Sequence, residues 1–101
     1  MKKSVRSASG RVANCLWKYR KRMGFSQRQV AAILTHVSQP NLSAFERGHK
    51  APSLITALKL EIIYRVPVAF LFPEHYARLK ASIRQKEEVV RTAGGRHETA
   101  A

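Results

Sequence analysis

Three serines stand directly before short segments whose apolar residues have helical spacing: Ser26, Ser38 and Ser53. A serine at this position accepts a hydrogen bond from a backbone N–H of the first helical turn, so each serine marks the start of a helix. Gly24 and Gly48 mark helix ends, because glycine readily adopts the left-handed conformation that closes a helix. The chain is therefore divided into short helices joined by tight turns, and no segment alternates in the way that predicts a strand.

The first helix is predicted to begin at Arg11. Val12, Leu16, Tyr19 and Met23 recur after it at spacings of four, three and four residues, which places them on one face of a helix.

The second and third helices are predicted on either side of one turn. Ser26 and Gln29 have the spacing of a capping box. Residues 35–37 have no helical period and predict the turn, after which Ser38 caps the third helix. Pro40 falls in its first turn, where a missing N–H costs nothing. Two short helices joined in this way predict a helix-turn-helix unit.

The fourth helix, residues 54–64, is apolar over most of its circumference, so we expect it at the centre of the domain. Residues 66–72 predict one or two further helical turns. Pro73 opens a last helix that is expected to end near Arg91, before Gly94 and Gly95. One stripe of this helix is apolar but interrupted by Lys86, and it comprises Tyr76, Leu79, Ile83 and Val90.

The predicted architecture is all-α, a compact five-helix bundle that contains the helix-turn-helix, with a C-terminal helix and flexible termini. Residues 11–72 are expected to form the bundle, and residues 73–91 the C-terminal helix. Residues 1–10 are expected to be a flexible basic arm, and residues 92–101 a disordered tail.

Charge is concentrated in the first half of the chain. Nineteen Lys and Arg against six acidic residues give a net charge of +13, and residues 1–50 carry +10 of it with Glu46 as their single acid. Such a charge favours polyanionic partners, which we expect to meet the first half of the chain. The single cysteine, Cys15, fits a reducing, cytoplasmic compartment, and no apolar run approaches the ~18 residues of a membrane-spanning helix.

A set of spaced residues resembles the phage-repressor/Cro-type helix-turn-helix family, also described as xenobiotic-response-element-like regulators. The resemblance runs from about Leu16 to Phe72. Its elements are Gly24-Phe25-Ser26-Gln27-x-x-Val30-Ala31-x-x-Leu34, then Val37-Ser38-x-x-x-Leu42-Ser43-x-Phe45-Glu46-x-Gly48, then Pro52-Ser53. The family fold is a bundle of five short helices, and the five segments predicted above match it in order.

The resemblance implies that the third helix, residues 38–47, enters the major groove of double-stranded DNA while the second lies across it. It implies that Gln27 hydrogen-bonds a DNA phosphate. It also implies that Arg20 pairs with Glu46 and holds the first helix against the third.

Base contacts are expected from the exposed residues in the first two turns of the third helix, and phosphate contacts from the polar and basic residues around them. The expected base-reading residues are Gln39, Pro40, Asn41, Ser43 and Ala44. The expected phosphate-contacting residues are Gln27, Arg28, Ser38, Arg47, His49 and Lys50.

The turn departs from the family pattern. The family has a single glycine between the positions of Leu34 and Val37, where this chain has Thr35-His36. The turn is therefore one residue longer, and the left-handed conformation that glycine would allow must be accommodated differently.

Three functions remain open at this stage. The first is a sequence-specific transcription regulator, a repressor in particular, that binds twofold operators as a homodimer. The second is an antitoxin or similar regulator whose C-terminal helix binds a protein partner. The third is a non-specific polyanion binder. No residue pattern predicts an enzyme, a cofactor or a metal site, and no membrane partner is expected.

Overall fold

The computed structural model describes the backbone of residues 11–100 and the side chains up to Ala93. This part of the chain is helical and contains no strand, in agreement with the predicted all-α fold. The helices are α1 (Leu16–Met23), α2 (Gln27–Leu34), α3 (Gln39–Glu46), α4 (Leu54–Tyr64), α5 (Val68–Leu71) and α6 (Pro73–Ala100). The predicted basic arm, residues 1–10, lies outside the described residues.

Three of the described helices, α2, α3 and α4, start directly after the predicted serine caps. Ser26 and Gln29 form the complete capping box, since the Ser26 side chain accepts from the Gln29 N–H and the Gln29 side chain accepts from the Ser26 N–H. Ser38 and Ser53 each accept a hydrogen bond from a backbone N–H in the first turn of α3 and of α4. Each such cap contributes about 1 kcal/mol to stability. Gly24 closes α1 in the left-handed conformation, with φ of 80°.

The predicted start of the first helix is wrong, because α1 begins at Leu16 and not at Arg11. The Asn14 side chain accepts a hydrogen bond from the Leu16 N–H over 2.9 Å and donates to the Phe45 carbonyl over 2.9 Å. The Val12 N–H donates to the Gly48 carbonyl over 2.9 Å. The backbone before α1 is therefore held against the end of α3 by contacts that are distant in sequence.

The core lies where α1, α2, α3 and α4 meet, with α5 closing one side. Its buried side chains are mainly leucines and aromatics, whose burial removes apolar area from water and stabilises the fold. The fully buried side chains are Leu16, Val30, Leu34, Leu42, Leu60, Tyr64 and Leu71.

Helix α4 is not surrounded as its apolar composition predicts. One face is buried, but the opposite face is open, with Leu54 71% and Ile62 72% exposed and with Ile55 and Leu58 also exposed. The short helices around α4 are too few to cover more than one of its faces. Because α4 is apolar on all sides, its second face therefore remains exposed.

Helix α6 is longer than predicted, since it continues past Arg91 to Ala100 through Gly94 and Gly95. A glycine inside a helix costs about 1 kcal/mol relative to alanine, which weakens a helix without necessarily ending it. None of the helices in the described region is long and apolar enough to cross a membrane.

Candidate nucleic-acid interface

Helices α2 and α3 pack closely and are joined by residues 35–38, which is the geometry of a helix-turn-helix. One face of α3 is fixed in the core through Leu42 and Phe45, which are both buried. The spacing of three residues between them places both on the inner face. Gln39, Pro40 and Asn41, which precede them in α3, are exposed.

A buried ion pair joins α1 to the end of α3. Arg20 Nε donates to Glu46 Oε2 over 2.6 Å, and Arg20 Nη2 donates to Glu46 Oε1 over 3.1 Å. The side chains are only 8% and 4% exposed. Arg20 Nη1 also donates to the Phe25 carbonyl over 2.9 Å, so the guanidinium binds the loop before α2 as well. The hydrogen bond to Glu46 raises the pKa of Arg20, so the guanidinium stays charged.

Gln27, the expected phosphate contact, is drawn into the same cluster. Its Nε2 donates to Glu46 Oε1 over 2.9 Å, and the residue is partly buried. A primary amide has two N–H groups and a carbonyl oxygen, so this bond leaves one donor of Gln27 for another partner. Gln27 therefore links the ion pair to the surface at the start of α2.

A polar cleft of about 490 Å³ opens beside Gln27, at the N-termini of both α2 and α3. The N-terminus of a helix presents unpaired backbone N–H groups and favours an anion. Lys21 adds a positive side chain at the rim. The cleft is lined by Arg20, Lys21, Gly24, Phe25, Ser26, Gln27, Gln29 and Gln39.

The five expected base-reading residues lie together on α3 with different accessibility. Gln39, Pro40 and Asn41 are exposed, whereas Ser43 and Ala44 are partly buried. The exposed surface at the start of α3 is therefore neutral and is built from two amides and a proline ring.

Basic residues border this neutral surface at the other end of α3. Lys50 Nζ donates to Asn41 Oδ1 over 2.9 Å, and Arg47 donates to the Ser43 hydroxyl. Arg11 Nη1 donates to the Arg47 carbonyl over 3.2 Å. Sequence reasoning did not single out Arg11, because only the fold brings it to the end of α3.

The remaining expected phosphate contacts are spread around α3. His49, beside Lys50, is exposed, and Arg28 is exposed on α2. Ser38 is exposed and its hydroxyl accepts from the Asn41 N–H over 3.3 Å, so it acts as the cap of α3. These three exposed residues therefore belong to three segments: α2, the cap of α3 and the loop that follows α3.

The lengthened turn is accommodated by Thr35 and anchored by His36. Thr35 adopts φ of 69° and its hydroxyl donates to the Leu34 carbonyl, so a β-branched residue occupies the conformation that glycine favours. His36 Nδ1 lies 2.8 Å from the Leu34 carbonyl, and Nε2 lies 3.0 Å from the Thr56 hydroxyl. Thr56 is buried on α4, and a polar residue within an apolar helix was the signal that sequence reasoning missed.

Tyr64 lies on the core side of the ion pair. Its hydroxyl is buried and makes no hydrogen bond with the residues that the structure describes. Burial raises the pKa of Tyr64, and the charge of Glu46 raises it further. A phenol in this position stays protonated far into the alkaline range.

A model of the helix-turn-helix family, in its Cro/C1 type, matches residues 18–71, which is more than half of the chain. No curated protein and no solved structure matches the sequence significantly. The matched region begins within α1 and ends with the last residue of α5, so it contains the Arg20–Glu46 pair and the whole of α3. The chain therefore belongs to the Cro/C1-type helix-turn-helix family of DNA-binding regulators.

Proposed function

We propose that the protein is a sequence-specific transcription regulator, acting as a repressor, that reads the major groove with residues 38–47. The observation that carries the proposal is the exposed neutral surface of Gln39, Pro40 and Asn41 within a strongly basic region. A surface that only attracted phosphates would gain more from lysine and arginine at these positions.

The amides of Gln39 and Asn41 suit adenine, whose N6 and N7 take one acceptor and one donor from a side-chain amide. Each well-formed pair contributes about 1–3 kcal/mol of discrimination against the wrong base. Pro40 and Ala44 offer apolar contacts for a thymine methyl group, while Ser43 can bond several bases. The proposed half-site therefore contains A·T pairs.

Lys50 supports the orientation of Asn41. Its bond to Asn41 Oδ1 leaves the amide N–H groups and a second lone pair for a base edge. The Lys50 ammonium has further donors, which a nearby phosphate can accept. A residue at the rim of α3 would thus link backbone contact to base contact.

Phosphate contacts are proposed on both sides of this surface. At the start of α2, the free amide N–H of Gln27 and the backbone N–H groups of the polar cleft favour an anion. At the end of α3, the cations Arg47 and Lys50, with His49 beside them, provide the second set. Arg28 and Ser38 complete the proposed contacts.

A homodimer on a twofold operator is part of the proposal. One recognition helix contacts too few base pairs to select a site in a genome, whereas two copies read half-sites about 34 Å apart. The alternative is an antitoxin-like regulator, in which the exposed stripe of α6 would bind another protein instead of a second copy.

The test begins with selection of binding sites from a random DNA pool, followed by fluorescence anisotropy at ~150 mM salt with competitor DNA. We expect the selected sequence to bind at least ~1,000-fold more tightly than a shuffled duplex of equal length. Equal affinities for the two would refute sequence-specific regulation.

Variants separate the two kinds of contact. Asn41→Ala is expected to weaken the selected site and leave the shuffled duplex unchanged. Arg47→Ala should weaken binding to both duplexes. It should also lower the slope of log affinity against log salt concentration by about one released counterion. Arg78→Ala on α6 removes the same charge away from α3 and is the matched control, with affinity expected to stay within about twofold.

A further inference from the structure

The outer part of α6 carries an apolar stripe that nothing in the described chain covers. Leu79 is 62% and Val90 60% exposed, and Tyr76 and Ile83 are exposed between and beside them. From Lys80 to Ala93 every residue except Ser82 is exposed. An exposed apolar stripe does not stabilise a single helix in water, so we expect a partner to cover it. The spacing of the apolar residues indicates what kind of partner that is.

The stripe has the spacing of a coiled coil. Tyr76, Leu79, Ile83, Lys86 and Val90 follow one another at intervals of three, four, three and four residues, which are the a and d positions of a heptad. Lys86 is the one polar member. Its place in the register explains why it interrupts the apolar series without shifting it.

The helix surface also presents a place for a partner's side chain. A hollow of about 420 Å³ is lined by Ile83, Lys86, Glu87, Val90 and Arg91. The first four are spaced as i, i+3, i+4 and i+7, which is the set of four residues that receives a knob in coiled-coil packing.

We propose that α6 pairs with α6 of a second copy as an antiparallel two-stranded coiled coil. In an antiparallel pair, a positions face d positions of the other helix. With the twofold axis between Arg84 and Gln85, Leu79 meets Val90 of the partner subunit, and Ile83 meets the partner's Lys86. Both contacts occur twice, as in any isologous interface.

Charge favours this direction and register. Lys80 and Glu87 occupy e positions, which face each other across an antiparallel pair, so the dimer gains two Lys80–Glu87 contacts between subunits. A parallel pair would set Lys80 beside His75 and Glu87 beside Ser82, and neither combination has opposite charges. The Arg84–Glu87 bond within α6 is exposed, so it does not prevent Glu87 from turning to a partner.

Lys86 fits the same arrangement. Its four-carbon stem can pack along Ile83 of the partner subunit while its ammonium reaches water. A single polar residue at a core position of a coiled coil fixes register and partner number at a cost in stability. Lys86→Leu is therefore expected to tighten the dimer at least tenfold.

The stripe continues into the body of the protein. Leu79 and His75 line a cleft of about 320 Å³ with Ala57, Val68 and other residues next to α4 and α5. In the antiparallel alignment, the partner's helix passes Leu79 and extends toward this cleft. The stripe and the cleft therefore form one continuous surface for a second copy.

This proposal deepens the proposed function, because a twofold dimer presents two copies of α3 to a twofold operator. Its test needs no DNA, so the two can fail separately. A dimer that binds no preferred sequence would refute the regulator and leave the dimer in place. A monomer that binds a selected sequence specifically would refute the dimer alone.

Sedimentation equilibrium of the full chain provides the first test. Lys80→Glu and Glu87→Lys are each expected to raise the dimer Kd about tenfold, and the double variant should return it to within about threefold of the unmodified chain. Arg78→Glu makes the same charge change as Lys80→Glu, but at a position outside the pair, and should leave the Kd unchanged. A monomer at all concentrations, or a double variant that stays weak, would overturn the proposal.

Cysteine cross-linking tests the direction. In a Cys15→Ala background, Leu79→Cys mixed with Val90→Cys should give a disulfide-linked heterodimer. Neither variant alone should cross-link, because equivalent residues lie about 16 Å apart along the axis. Self-cross-linking of Leu79→Cys would indicate a parallel pair and refute the antiparallel one, and circular dichroism confirms that each variant remains helical.

Discussion

Removal of Glu46 tests whether the buried ion pair holds α3 in place. Glu46→Ala deletes the carboxylate that takes two hydrogen bonds from Arg20 and one from Gln27. The guanidinium is then left unpaired in a site where its side chain is 8% exposed. Breaking a buried pair in this way costs about 3–5 kcal/mol. We expect about 3 kcal/mol, because the Phe25 carbonyl still accepts one bond from Arg20.

Urea unfolding followed by circular dichroism measures this loss, which is a large part of the 5–15 kcal/mol typical of a small domain. The double variant Arg20→Met, Glu46→Leu removes both charges and is expected to recover most of the stability, since buried pairs are often replaceable by apolar residues. If Glu46→Ala lowers the unfolding free energy by less than about 0.5 kcal/mol, the pair does not fix α3 and this reasoning is wrong.

Three further substitutions test other features, each through the free energy of unfolding. Thr35→Gly should stabilise by about 1 kcal/mol by relieving the left-handed backbone, and a destabilised variant would contradict the assigned strain. Asn14→Ala should cost about 2 kcal/mol, because its side chain bonds the Val12 and Phe45 carbonyls and the Leu16 N–H; an unchanged value would show that residues 11–15 are not held. Tyr64→Phe should have an unfolding free energy at pH 7 that equals or exceeds that of the unmodified chain, since the lost hydroxyl has no partner within the described region. The difference in unfolding free energy should widen above pH 10. There the Tyr64 phenol loses its proton in the unfolded chain but keeps it in the folded protein, where its pKa is raised. A difference that does not change with pH would refute this.

The parts of the fold that were predictable from sequence are those that depend on neighbouring residues. The capping box of Ser26 and Gln29 spans four residues, so its spacing alone determines it. The same holds for the serine caps of α3 and α4. The five short segments occur in the same order as the helices of the family fold, and this order predicts the all-α bundle.

The parts that sequence could not predict depend on distant contacts. Residues 11–15 continue an apolar stripe, but Asn14 bonds Phe45, 31 residues away, and this bond competes with helix formation. The exposed face of α4 could not be told from its buried face, because both are apolar. Among the site residues, the bond between Gln27 and Glu46 arises only once α2 and α3 are packed.

The two faces of α3 are constrained differently by the fold. Leu42, Phe45 and Glu46 carry the packing and the ion pair, whereas Gln39 and Asn41 are exposed and contribute nothing to the core. Under the proposed function, substitutions on the outer face would change which bases are recognised while the fold stays constant. Evolution and protein engineering could both use this separation, because the residues proposed to set specificity are ones that stability does not constrain.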